Sequence, residues 1–377
     1  MFPVDEEYSA SSYPEFQSAA PEPVSGTNYY RPIAPAPAPA PTRQAHHNHQ
    51  VVNVTPVPHS YHRPLDGPGQ LSATDEVVDL RDHGINKTFT GKSVFPDEVY
   101  YENGRTYQAY RADAYYFPND PQEQDRLDLE HHIWEILLGG RLYLAPIQRP
   151  ANVLDLGTGT GLWAKEFAQQ HPDCQVVGTD LSLMQPTIGP PHPNVSFVKE
   201  DAEEDEWTIP VGFDYVHVRG ASHGFYKHLA PGGWVEVQEI GLEFESDDGS
   251  GAGSALERHC QLVRRGLAAL GRDPAALGRY RALLAEAGFA AASLHESVVP
   301  MPCSQWPAEP WFRYAGHYSA LNVCQVARSV TFKLLRAAGV TARGNHRLAD
   351  EVEREVRSCR VHGHWPLHVI YAQKPWN

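Results

Sequence analysis

Val153-Leu-Asp-Leu-Gly-Thr-Gly-Thr-Gly161 is an aliphatic run that breaks into three alternate glycines, and a helical pattern, Leu162 to Gln170, follows at once. This predicts a buried strand, a glycine turn and a helix. Gly157, Gly159 and Gly161 allow the backbone to turn sharply and to approach a ligand closely. The G-x-G-x-G spacing is tighter than the G-x-G-x-x-G that seats a pyrophosphate on a helix N-terminus, and such a turn by itself has many uses.

Working outward, Val176-Val-Gly-Thr-Asp180 predicts a second strand that ends in a carboxylate 19 residues after Gly161, suited to gripping a ribose diol. A third strand ends at Asp201-Ala202, placed to edge an adenine ring. Leu229-Ala-Pro-Gly-Gly-Trp-Val-Glu-Val puts Pro231 and Gly232 at the centre of a tight turn that feeds a fifth strand. Strands are predicted at Asn152 to Leu156, Gln175 to Thr179, Val195 to Lys199, Phe213 to Val218 and Trp234 to Ile240, separated by helical or glycine-rich stretches. That alternation implies an α/β fold with a doubly wound, mostly parallel sheet. Each piece alone has an ordinary structural use. In this order and spacing they predict an adenosyl-ligand site at the carboxyl ends of the strands.

The flanks are of a different character. Residues 1–73 form a Pro, Ala and His-rich tail holding thirteen of the 32 prolines, among them Pro35, Pro37, Pro39 and Pro41. Such a stretch buries too little apolar surface to offset chain entropy, so disorder with a polyproline II run is expected. A metal could bind its His46, His47, His49, His59 and His62, but polar low-complexity sequence is the commoner reading and no metal site is expected. Residues 74–150 read as an extension carrying a lid helix, about Gln122 to Leu138. Asp120 caps that helix, and Leu127, Ile133, Trp134 and Leu137 form its stripe. Residues 151–377 hold the main domain. After Ser254 the pattern turns helical, strongest at Leu256 to Leu270, Ala275 to Ala287 and Val323 to Ala338, and a closing strand begins at Leu367.

Composition narrows the function. A net charge of −15 argues against a sequence-independent hold on nucleic-acid phosphates. Five scattered cysteines with no C-x-x-C pair argue against a disulfide framework or zinc finger. The acidic start, Asp5-Glu-Glu7, is unlike a secretory leader, and no apolar run reaches the ~18 residues of a membrane span. A protein of a reducing compartment is expected.

These motifs resemble the class I S-adenosylmethionine-dependent methyltransferases. Within them the chain is similar to the fungal LaeA-like group, regulators of secondary metabolism. The narrower resemblance rests on Glu102-Asn-Gly-Arg-Thr-Tyr107, Tyr115-Tyr-Phe-Pro-Asn-Asp120, Glu123-Gln-Asp-Arg-Leu-Asp128, Val153 to Gly161, Gln185-Pro186, Leu229 to Glu236 and His368-Val-Ile-Tyr-Ala-Gln-Lys-Pro375. It implies a Rossmann-like, seven-stranded sheet with helical additions. It also implies that Gly157, Gly159 and Gly161 contact the cofactor's methionine end, that Asp155 helps orient its amino group, that Asp180 holds the ribose, and that Asp201 with Ala202 holds the adenine. A velvet-type nuclear complex controlling metabolite gene clusters, with no direct nucleic-acid or membrane contact, is the implied setting, and the cytoplasm is a second compartment.

Methyl transfer from a sulfonium depends mostly on positioning. A base is needed only for a protonated acceptor, and His217 and His223, at and beyond the fourth strand, are the candidates. A hydrogen-bonded core residue for His217 and a loop residue for His223 are the commoner roles. Glu236, Gln238 and Glu239 are polar where a parallel sheet is buried on both faces, so they are expected to point into the cleft or cap the sheet's end. Only Arg219 to Gly233 join the fourth and fifth strands, room for no more than a stunted helix near Phe225 to Leu229. Family members carry a fuller segment there, so either the acceptor side is degenerate or a gene-model or splicing error removed part of it. Three functions stay open: a methyltransferase regulator, a small-molecule O- or N-methyltransferase, and a catalytically silent adaptor.

Overall fold

The computed structural model describes residues 99–110, 115–182, 184–185, 192–204, 207–220 and 225–376, with the backbone of 77–79 and 88–90. The proline-rich tail, its histidines, Pro186 and His223 lie outside the described residues. Two short strands, β1 (Val77–Asp79) and β2 (Thr88–Thr90), pair antiparallel. A hairpin follows, β3 (Val99–Glu102) and β4 (Arg105–Gln108), closed by Asn103 and Gly104 with φ of 51° and 73°. Two central residues at positive φ make the two-residue turn whose twist matches a hairpin. Helix α1 (Pro121–Leu137) begins where the sequence predicts, with Asp120 accepting from the Glu123 N–H at 3.0 Å.

Seven strands form the central sheet: β5 (Asn152–Leu156), β6 (Gln175–Asp180), β7 (Val195–Lys199), β8 (Phe213–Arg219), β9 (Leu229–Ile240), β10 (His295–Pro302) and β11 (His364–Gln373). Their order is β7-β6-β5-β8-β9-β11-β10. β5 to β9 run parallel, and β11 is antiparallel to both its neighbours. Chain order reverses between β5 and β8, so the crevice of the sheet opens at their carboxyl ends. The remaining helices are α2 (Leu162–Gln170), α3 (Ala255–Ala269), α4 (Tyr280–Glu286), α5 (Pro310–Gln325), α6 (Phe332–Ala337) and α7 (Ala342–Ser358).

Three buried clusters hold these layers together. On one face of the sheet Val153 and Tyr215 pack with Trp163, Phe167 and Leu142. Toward β10 and β11 a second cluster joins Ile133 and Trp134 of α1 to Leu256, Phe312, Leu334 and Val352 of the later helices. On the opposite face Leu154, Val216, Val237 and Ile370 meet Leu284 and Phe289.

Several elements differ from the sequence reading. β9 starts at Leu229 rather than Trp234: the register passes from Phe213↔Leu229 to Tyr215↔Trp234, so the Pro231-Gly232 turn is a bulge inside the strand. Gly232 takes φ 77° there, and its N–H reaches the Lys374 carbonyl at 3.0 Å. The crossover before it has, among the described residues, only one 3₁₀ turn, Phe225–His228. The helix expected over 275–287 is a 3₁₀ turn, Ala276–Arg279, leading into α4. That expected over 323–338 is the end of α5, a wide turn at Val326–Val330 and α6. Ser329 and Thr331 hydroxyls bond back to the Gln325 and Val326 carbonyls at 3.2 and 3.0 Å, and such back-bonding loosens a helix.

Candidate functional site

The predicted glycine turn sits at the crevice. Gly157, Gly159 and Gly161 have φ of 73°, 55° and 75°, a region costing an L side chain roughly 1–2 kcal/mol. A Cβ on Gly161 would come within 2.4 Å of the Phe197 ring, so close packing as well as φ demands glycine there. Asp180, at the end of β6, accepts from the Gly159 N–H at 2.9 Å and from the Ser182 N–H at 3.0 Å. The glycine turn and the ribose candidate are therefore physically joined. Burial pushes the Asp180 carboxyl up against the lowering effect of those two N–H groups. Gln185 donates to the Gly159 carbonyl at 2.6 Å, and Thr160 to Asp128 of α1 at 2.6 Å. With Leu127 of α1 also beside Gly159, the helix does cover the turn.

Asp155 is placed otherwise than a cofactor contact would need. It is 2 % exposed, and its two oxygens go to Thr158 Oγ1 at 2.5 Å and His217 Nδ1 at 2.7 Å. Its direct contacts are thus internal, and it touches the turn through Thr158. His217 is 1 % exposed and lies flat on the Trp163 indole, ring centroids 3.8 Å apart at 3°. Burial holds its pKa below the ordinary histidine value despite Asp155. The ring is therefore neutral and closed off. Asp201 is buried, with Oδ1 accepting from the Glu203 N–H at 2.9 Å, and Ala202 beside it is half-buried against the β7 side of the core.

Glu236 and Gln238 do not face the cleft, contrary to the sequence reading. Both are 0 % exposed. Glu236 Oε2 accepts from the Leu144 and Ala145 N–H groups at 2.8 and 2.6 Å, and Gln238 donates to the Leu142 carbonyl at 2.9 Å. The loop after α1 passes under the sheet and needs partners for its backbone, which these side chains supply. Burial pushes the Glu236 carboxyl up. Glu239, on the alternate face, is half-buried at the end of β9, and burial raises it to about 7.

Sequence reasoning passed over several groups around the crevice. Arg219 ends β8, half-buried, and donates to Gln238 Oε1 at 3.0 and 2.6 Å and to His131 Nδ1 at 3.1 Å. Tyr115 lies close enough to Asp180 for that carboxylate to raise its hydroxyl, after burial itself. α1 turns a charged face inward: Arg126 pairs with Glu123 at 2.8 Å and Glu130 at 2.5 Å, and donates to Asn322 of α5 at 2.9 Å. The only available signal was the i, i+3 and i+4 spacing of Glu123, Arg126 and Glu130. His131, Glu135 and Glu166 bring ligand-type atoms within 4.8 Å of one another, but both His131 nitrogens are already engaged, with Arg219 and Glu166.

A methyltransferase domain model matches residues 129–294. The "Methyltransferase pytC" of Aspergillus terreus is 34% identical over 292 residues, 73% of this chain and 88% of that protein. The "Secondary metabolism regulator laeA" of Aspergillus fumigatus is 32% identical over 308 residues, 77% of this chain and 80% of that one. The "Protein-methionine methyltransferase laeA" of Emericella nidulans is 31% identical over 294 residues, 74% and 77%.

Proposed function

The chain belongs to the fungal LaeA-like group of class I S-adenosylmethionine-dependent methyltransferases, and from that membership we propose that it regulates secondary-metabolite gene clusters by methyl transfer within a velvet-type nuclear complex. The observation that supports this most is a relative named as a secondary metabolism regulator, matched over 80% of its length. The Gly159 N–H to Asp180 contact shows, alongside it, that the turn and the β6 carboxylate are assembled in one place.

The residues present fit the cofactor. Glycines at left-handed φ carry the backbone along the crevice with no Cβ in the way, and carboxylates end β6 and follow β7, where a diol and an exocyclic amine need acceptors. Gly157, Gly159 and Gly161 would hold the methionine end, Asp180 the ribose, and Asp201 with Ala202 the adenine. Bound S-adenosylmethionine supplies an electrophilic sulfonium methyl. The chain's own work is orientation. Asp155 fixes the glycine turn through Thr158, His217 fixes Asp155, and α1 closes the turn from above through Asp128 and Leu127. Sealed as it is, His217 acts as a positioning residue rather than a base in this reading.

A small-molecule methyltransferase is the second reading, compatible with a relative named as a methyltransferase and not as a regulator, 34% identical over 88% of its length. One experiment separates the readings: complement a deletion strain with wild-type or Asp180→Ala protein, then measure cluster transcripts, methylated metabolites and a tagged velvet protein's co-purification. Transcripts restored by wild type alone, with the velvet protein retained, support the enzymatic regulator. Transcripts restored by both proteins would mean an adaptor. Unchanged transcripts with an unmethylated metabolite accumulating would establish the small-molecule enzyme.

A further inference from the structure

Buried arginines in this fold come in two kinds. Arg105 and Arg126 pair with carboxylates, Asp120 at 2.5 Å and Glu123 at 2.8 Å. Arg219 makes its bonds to neutral atoms, Gln238 Oε1 and His131 Nδ1, and among the described residues no carboxylate lies within 4.0 Å of its guanidinium. The His131 ring accepts at Nδ1 because its Nε2 faces Glu166 Oε2 at 2.9 Å. Trp134 lies under the guanidinium at 4.9 Å from the ring centroid. The group is thus pinned on three sides without a direct ion pair to any described residue. Three of its five N–H groups are accounted for, which leaves one on each terminal nitrogen. Arg219 is the last residue of β8, and Gly220 turns away behind it at φ 73°, on the carboxyl edge beside the β5 glycine turn. Burial lowers its pKa to about 10, against the raising effect of the nearby Asp155, Glu130 and Glu236 carboxylates, none of which bonds it directly.

We infer that Arg219 is a preorganised anchor for a ligand carboxylate at the reacting end of the crevice. The inference rests on the methyltransferase reading and extends it. A planar fork held this way matches a carboxylate through two parallel bonds. Two molecules could bring that group, the cofactor through its methionine end and the methyl acceptor.

The test is calorimetric titration of full-length wild type and Arg219→Gln with S-adenosylhomocysteine and with its decarboxylated homologue, then of benzoate into the S-adenosylhomocysteine-loaded proteins. If the anchor serves the cofactor, wild type prefers the carboxylated nucleoside by about tenfold or more and Arg219→Gln brings that ratio close to one. If it serves the acceptor, the ratio is the same in both proteins and only wild type binds benzoate. A folded Arg219→Gln protein that changes neither readout overturns the inference. Failure of wild type to bind either nucleoside overturns the functional reading, and this inference with it. The ¹⁵N-arginine spectrum of wild type tests the cofactor arm without a variant, because the Arg219 Nε–H resonance should move with the carboxylated probe and stay put with the decarboxylated one.

Discussion

Asp155 and His217 face each other in register across β5 and β8, and their side chains meet at 2.7 Å, carboxylate Oδ1 to ring Nδ1. The same register line carries Glu236 on β9 and Tyr371 on β11, so a row of ionisable side chains runs across four neighbouring strands, β5 to β11. Replacing Asp155 by Ala orphans the His217 N–H and the Thr158 hydroxyl in a sealed interior. The expected loss is roughly 2–4 kcal/mol of stability, read by urea unfolding. Asp155→Asn, which retains acceptor and shape, should lose less than Ala; equal losses would remove the hydrogen-bond explanation.

Glu236 supplies the acceptor for two backbone N–H groups, those of Leu144 and Ala145. Glu236→Ala should destabilise by about 2–4 kcal/mol, and Glu236→Gln by less because its amide oxygen can take over part of that role. Hydrogen exchange at the Leu144 and Ala145 amides is the local readout. Unchanged protection in the Ala variant would show that the contact does not hold the loop.

Gly161 combines φ 75° with a Cβ position 2.4 Å from Phe197. Gly161→Ala is expected to cost roughly 1–3 kcal/mol in stability. Gly104→Ala, at φ 73° with nothing within 4 Å of the added carbon, should cost only the backbone share, about 1 kcal/mol. Chemical denaturation of both variants separates close packing from backbone strain.

Asp180→Ala removes the carboxylate that would meet the ribose and also the partner of two backbone N–H groups. S-adenosylhomocysteine affinity should drop at least tenfold, the scale of about 1.5–3 kcal/mol for a hydrogen bond to a charged group. Calorimetry on full-length protein decides, with thermal melting as the check on folding. Retained affinity in the variant would move the ribose contact elsewhere.

His259 is buried against Thr331 Oγ1 at 2.9 Å, and burial lowers its pKa to about 4. The unfolded chain takes up this proton near pH 6.5, before the folded one does, so stability is complete above that pH and falls as pH drops toward 4. The full contribution is about 3 kcal/mol by this shift. Urea unfolding of wild type and His259→Gln at pH 7.5 and pH 5 should show a smaller acid loss in the variant; parallel losses would refute it.

Much of the architecture was legible because its signals are local. The β5 and β7 boundaries, the α2 boundaries and the Asp120 cap follow from aliphatic runs, glycine punctuation and a proline in the first helical turn. The β3–β4 hairpin was also written in the chain, as Asn103-Gly104, the residue pair that a two-residue turn at positive φ favours. Helix α7 has Thr341 as its cap and Leu348, Ala349, Val352 and Val356 as its buried stripe, a helical period the sequence displays but the reading passed over. Strand β10 has no comparable signal: its two prolines and exposed start are tolerated because it is the sheet's edge.

The sequence by itself determined the glycine turn, the carboxylate after the second strand and the short crossover, since each depends on residues within a few positions of one another. The tertiary structure decided what the polar side chains do. Glu236 and Gln238 turned out to hold a loop from 91 to 96 positions away, His217 to be locked on Asp155 62 positions back, and Arg219 to be pinned by residues of α1 and β9. Hydrogen bonds and desolvation act through space, and no spacing along the chain encodes which distant backbone group a buried carboxylate will meet.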